Sequence, residues 1–225
     1  MEKSTAIRKN SARKIDGTAE SRVVRESTLI QARRTLILDA ARSAFFELGL
    51  DGASLREIAK RAGYTPGAIY SYFANLEEIY GALLGESLQR LNQVVETTKV
   101  CHESSSPKDL LRAKADAFYL FYRDNPKELD LGFYLFDGMK PRGLTPELNQ
   151  QLNEQLMAAL QPIQDQLEAL GLGTEGAVIE TTAVFAHIVG VLVLNNTGRI
   201  RLFKQNPDVL FQRYMDLLIQ RLPES

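Results

Sequence analysis

The chain is poor in the residues on which much protein chemistry depends. Among 225 residues it has one cysteine, two histidines and no tryptophan. The lone Cys101 excludes an intramolecular disulfide and fits a reducing cytoplasm. With only His102 and His187, and no nucleophile motif, an all-α enzyme would have little from which to build a catalytic group. Cys101, His102 and Glu103 are contiguous, so their side chains diverge, and no second ligand pair stands elsewhere. No metal and no cofactor is therefore expected. The amino terminus is polar and charged and lacks the apolar stretch of a secretory signal. Long apolar runs are also missing. The least polar one, Ala183 to Leu194, is interrupted by His187 and has twelve residues, against the roughly 20 needed to cross a bilayer. It reads as a buried helix.

What is present is concentrated between Ser54 and Tyr80, SLREIAKRAGYTPGAIYSYFANLEEIY. Ser54 followed by Glu57 is a capping box that starts a helix at Leu55. Ile58 and Ala62 mark its buried face, with Arg56, Lys60 and Arg61 turned away. Gly63 can adopt the left-handed conformation that ends a helix. Thr65 caps a second helix, with Pro66 in its first turn, where no amide donor is needed. Ile69 and Phe73 anchor it inward. Asn75 with Glu78 then caps a third helix from Leu76.

The middle helix presents Gly67, Ala68, Ser71 and Tyr72 outward, with Tyr70 to one side. A helical glycine costs roughly 1 kcal/mol relative to alanine, and close approach of a partner's backbone is one reason to keep it. The helix start at Thr65 suits a phosphate. Ala68 could touch a thymine methyl, and Ser71 or Tyr72 could reach base edges or phosphates. A helix-turn-helix reader enters a major groove in this way. The competing reading is a small helical corner with an idle exposed face.

The segment from about Thr35 to Tyr80, with ILDAARSAFFELGLDGASLREIAKRAG followed by AIYSYFANLEEIY, resembles the DNA-binding domain of the TetR (tetracycline-repressor) family. The resemblance covers the leading helix, Gly49, the capping box and the Tyr-x-x-Phe of the reader. It implies an all-α fold in which the middle helix reads DNA and the rest of the chain binds a small ligand and dimerises. Carried over by position, it implies DNA contacts from Ser54 and Arg56, and from Thr65, Pro66, Gly67, Ala68, Tyr70, Ser71 and Tyr72.

Charge is distributed accordingly. Residues 1–75 carry a net +5 and the remainder a net −6, so the amino-terminal part attracts phosphate and the rest avoids it. Residues 1–30 lack sustained periodicity and read as a disordered basic arm. Arg33 and Arg34 stand better placed for DNA, at the entrance of the first helix of a domain spanning 31–80.

From residue 81 to 225 the punctuation is regular. Ser106-Pro107, Asn125-Pro126, Thr145-Pro146 and Asn206-Pro207 repeat the cap-then-proline pattern of Thr65-Pro66. The expected helices run 76–100, 107–123, 126–137, 146–170, 174–203 and 207–221, about nine in the whole chain, with DGMKPRGLT as a loop. The helix from Leu76 belongs to both domains, so its tilt can move the reader. An aromatic cluster between Phe118 and Phe136 is mostly core by spacing. Tyr119, Tyr122 and Tyr134 add polar tips to an apolar wall and are the ligand candidates. His187 is either a satisfied core or interface histidine or a partner for an effector. Ala183, Ala186, Val189, Gly190 and Val193, with Leu210 and Leu217, allow close helix approach. The resemblance implies that the last two helices make a four-helix dimer interface. The resulting expectation is a homodimeric, cytoplasmic DNA-binding regulator, a repressor released from operator DNA by a small, mostly apolar ligand. The alternative is a DNA-binding dimer without an effector, acting through DNA organisation or a protein partner.

Overall fold

The computed structural model describes residues 3–100, 106–133, 136–137, 140–141 and 145–223. Among these are nine α-helices: α1 (Lys3–Gly52), α2 (Leu55–Ala62), α3 (Pro66–Ile69), α4 (Leu76–Thr97), α5 (Pro107–Asp124), α6 (Pro126–Phe133), α7 (Pro146–Ala169), α8 (Thr174–Asn196) and α9 (Pro207–Arg221). A 3-10 helix, Arg199–Phe203, lies between α8 and α9. The chain divides into two compact units, Met1–Tyr80 and Gly81–Ser225.

Several elements depart from expectation. From Lys3 the segment expected to be a disordered arm is helical and forms the first part of α1. No proline precedes Pro66 to stop a helix, and alanine, arginine, lysine and glutamate favour one. Its residues 22–33 are exposed. At Gly49 (φ 70°, ψ 177°) the backbone leaves helical geometry before a last turn ending at Gly52. The helix expected to reach 203 stops at Asn196, where Gly198 takes φ 71° and tightens the chain into the 3-10 turn. The one expected at 126–137 ends at Phe133, and at the start of the expected loop Phe136–Asp137 pairs antiparallel with Lys140–Pro141.

In the first unit α1, α2, α3 and the first turn of α4 share one core. Ile37, Ala41 and Ala44 of α1, Ile58 and Ala59 of α2, Ile69 of α3 and Ile79 of α4 are fully buried. Phe45 meets Tyr80 edge to face at 6.0 Å. In α2 it is Ala59, not Ala62, that joins Ile58 inside. Arg61 does not point away. It bonds Glu57 at 2.8 Å and reaches Ser43 (2.7 Å) and Glu47 (2.9 Å) of α1.

In the second unit α5 packs on α7 and α8, α7 on α8, and α8 on α9. Phe118, Ile163, Val184, Ile188, Leu192 and Phe211 are fully buried there. Gly81 lies close to Leu148 of α7: a Cβ on Gly81 would come within 2.5 Å of Leu148 Cδ2. A polar seam joins α5 to α9. Tyr119 donates to Asp208 at 2.7 Å and Arg123 to the same oxygen at 3.2 Å. Arg112 donates to Gln212 and Asp216, and Gln212 donates to Asp116 at 2.9 Å. Lys114 is buried and donates to the carbonyls of Val95 (2.7 Å), Glu96 (2.9 Å) and Thr98 (2.8 Å). A helix leaves its last carbonyls without intrahelical partners. At the end of α4 those of Val95 and Glu96 are taken up by Lys114 and that of Val94 by the Thr98 hydroxyl.

Candidate nucleic-acid interface

The turn between α2 and α3 is built as the sequence suggests. Ser54 Oγ accepts from Glu57 N at 3.2 Å. The reciprocal half of the expected capping box is absent, because the Glu57 carboxylate turns to Arg61. Gly63 takes φ 74°, ψ 26°, and Tyr64 N closes back on Ala59 O at 2.8 Å. A side chain at Gly63 would be strained in this left-handed position. Thr65 Oγ1 then accepts from Ala68 N at 3.3 Å, with Pro66 in the first turn. Asn75 Oδ1 accepts from Glu78 N at 2.8 Å.

Over this frame the candidate contacts lie outside. Ser54, Arg56, Thr65, Pro66, Gly67, Tyr70 and Ser71 are exposed; Ala68 and Tyr72 are half-buried. Tyr70 keeps 59% of its surface in solvent, an unusual position for an aromatic ring with only packing to do. A Cβ placed on Gly67 would meet nothing within 4 Å, so internal packing does not require the glycine. Replacing it with alanine should therefore stabilise the folded domain by up to about 1 kcal/mol while weakening DNA binding. Urea melts and duplex titration together check this. Unchanged DNA affinity would mean an idle face.

Arg33 and Arg34 are drawn to the same corner. Arg33 Nη1 donates to the Tyr72 hydroxyl at 3.3 Å, and Arg34 Nη1 to the Tyr72 carbonyl at 2.9 Å. The Arg34 guanidinium also lies 4.0 Å from the centre of the Phe73 ring. Sequence reasoning placed these arginines near DNA but missed Phe73 as the platform that orients one of them. Arginine and aromatic residues 38 or 39 positions apart leave no local signal.

Tyr119 is buried, stacks on Phe211 at 4.1 Å and commits its hydroxyl to Asp208. Burial and that bond raise its pKa. Tyr122 is buried edge-on against Phe118 and Phe121, and burial raises its pKa as well. Both serve the core. Tyr134 and residues 101–105 lie outside the described residues. His187 is half-buried, stacks on Tyr214 at 4.1 Å and has Nε2 3.4 Å from the Leu210 carbonyl. Burial outweighs that contact and holds its pKa below the usual histidine value.

The helix α8 is long and apolar enough to cross a membrane by length and composition, although only 33% of its most apolar window is buried. The buried helix expected around Ala183–Leu194 is thus only partly covered. Ala177, Val184, Ile188 and Leu192 enter the core. Ala186 and Gly190 are exposed, while Ala183, Val189 and Val193 are half-buried. Leu217 of α9 is 48% exposed and Leu210 is half-buried. These side chains extend an apolar face on which Ile179, Leu194 and Val209 also stay exposed.

A short outward helix held over a three-helix core, with arginines fixed at its end, defines a helix-turn-helix protein. Residues 37–83 match the family model of bacterial regulatory proteins, tetR family. Residues 37–83 thus carry the DNA-binding domain of that family, and the relatives that share it are named as transcriptional repressors or regulators. The chain is 36% identical over 69 residues to the HTH-type transcriptional repressor AcnR of Corynebacterium diphtheriae, covering 31% of this chain and 36% of that protein. The matched segment is thus about a third of the relative's length. A tetR-family regulatory protein from Rhodococcus RHA1 has the same fold (TM-score 0.63, 19% identity, 86% of this chain and 98% of that one). So does the regulator FadR of Bacillus subtilis, solved in complex with stearoyl-CoA (TM-score 0.57, 22% identity, 82% and 97%).

Proposed function

We propose that the protein is a dimeric, sequence-specific DNA-binding regulator acting in the cytoplasm, a repressor released from its operator by a small, largely apolar ligand. The observation that carries this reading is the exposed surface of α2 and α3. Their buried residues are satisfied in the core, while Arg56, Thr65, Gly67, Tyr70 and Ser71 stay outside without a packing role. Arg33 and Arg34 add positive charge at the same corner. The apolar face of α8 and α9 supports pairing of two copies, which would set two readers on a palindromic site about one DNA turn apart, ~34–36 Å.

Release follows from linkage. A ligand that favours another reader spacing lowers DNA affinity, and operator DNA must lower ligand affinity by the same factor. The helix α4 (Leu76–Thr97) crosses the boundary after Tyr80 and is the continuous element through which such coupling would run. The complex of the Bacillus subtilis neighbour supports a largely apolar effector.

Selection of bound sequences from random duplex DNA tests the reading. A palindromic winner, with affinity falling steeply between two salt concentrations, is the expected result. Weak binding without sequence preference would overturn it.

One pH prediction arises at α8. The folded-state pKa of His187 lies below its unfolded value of about 6.5. As pH falls, the unfolded chain therefore takes up a proton first. The stability that neutral His187 contributes is present above about pH 6.5 and is lost as pH falls through the folded value. Urea melts of the wild type and His187→Gln at pH near 7.5 and near 5 should show a smaller acid loss in the variant. Equal losses would remove His187 as the cause.

A further inference from the structure

A groove of about 560 Å³ lies between the carboxy-terminal end of α4 and α5, a volume suited to a small organic ligand. Its walls include Val94 and Leu120, which keep 41% and 38% of their surface open, and the ring of Phe121. Its charged lining residues are both carboxylates, Asp116 and Asp124. Asp124 is held by Arg123 at 2.8 Å. Asp116 is not matched in this way. One of its oxygens accepts from the neutral amide of Gln212 at 2.9 Å, and among the described residues it enters no ion pair. Arg112 acts on it only from a distance, its guanidinium being bonded to Gln212 and Asp216. Burial pushes the Asp116 carboxyl above its usual range, although Gln212 and Arg112 oppose the shift. A half-buried carboxylate bonded to a neutral amide, above apolar and aromatic walls, calls for a cation carrying its own N–H donors and an apolar body.

We propose that the groove between α4 and α5 binds a small organic ammonium ion, with Asp116 as its counter-ion and Val94, Leu120 and Phe121 holding its apolar body. As a binding site this stands independently of DNA. As an effector site it rests on the DNA-reading proposal above. The position is apt for an effector, because Val94 and Thr98 stand at the end of α4, where Lys114 holds the carbonyls of Val95, Glu96 and Thr98. An occupant would bear on the end of the helix that leads to the reader.

The test uses three probes that share one body and differ in charge: phenylbutylamine, phenylbutanol and phenylbutyrate. Calorimetry on the full chain without DNA should show the amine binding at least about tenfold more tightly than the alcohol, with the carboxylate weakest. Asp116→Asn, which can still accept from Gln212, should erase the preference for the amine. Ala113→Phe, which fills the groove from another wall, should reduce binding of all three. Equal binding of amine and alcohol, no binding of any probe, or an amine preference that survives Asp116→Asn would overturn the proposal. Because these measurements contain no DNA, they are unaffected if the regulator reading fails. Release of the selected duplex by the amine is scored separately.

Discussion

Gly190→Arg is expected to give a folded monomer that has lost most of its affinity for DNA. Gly190 is exposed on α8, and a Cβ there meets nothing within 4 Å in the protomer. Arginine is also a better helix former than glycine. Nothing within one chain opposes the change. Between two chains it would place a long cation in a close-packed apolar contact, where an unpaired buried charge costs several kcal/mol. In the proposed dimer two readers would act together, so its loss would leave one, and bivalence contributes on the order of 10²- to 10⁴-fold in affinity. Sedimentation equilibrium would read the mass, circular dichroism the fold, and titration of the selected duplex the affinity. A variant of unchanged dimeric mass would place the interface elsewhere.

The second large effect belongs to Lys114→Met. Methionine keeps most of the length and the apolar stem and removes only the ammonium group. Three charge-assisted hydrogen bonds to Val95, Glu96 and Thr98 disappear with it, together with a positive charge at the negative end of α4. The desolvation that lowers the Lys114 pKa would be relieved, and water would reach part of the freed carbonyls. The net loss should still be about 3 kcal/mol, read as a lower urea midpoint. Lys114→Arg should lose less, because it keeps the charge while fitting the three carbonyls less well. A loss under about 1 kcal/mol for the methionine variant would show that the clamp contributes little.

Local chemistry made much of the fold legible. Thr65, Ser106, Thr145 and Asn206 each precede a proline, and each caps its helix with a side-chain oxygen. Asn125 shows the limit of the pattern: its side-chain amide turns back to the Phe121 carbonyl at 2.8 Å and caps the preceding helix instead. The helical segment from Lys3 was hidden because it shows no apolar stripe, and periodicity detects only helices that bury a face. Lys114 was hidden for the opposite reason. A lysine reads as surface, and only the arrival of the α4 terminus explains its burial. The exposed face of the reader was legible because it is local. The tie of Arg34 to Phe73 and of Tyr119 to Asp208 depends on distant segments meeting.

The seam between α5 and α9 has a mechanical consequence. Asp208, Gln212 and Asp216 stand four apart on α9: Asp208 meets Tyr119 and Arg123, Gln212 meets Arg112 and Asp116, and Asp216 meets Arg112. Apolar side chains tolerate sliding, since one contact replaces another. Here a slip of one helical turn, about 5.4 Å, would carry Asp208 away from Tyr119 and Arg123 and set Asp208 or Asp216 where the Gln212 amide stands, carboxylate against the Asp116 carboxylate. The present register is thereby favoured over its neighbours, and α5 and α9 are set to move as one piece rather than to slide along each other.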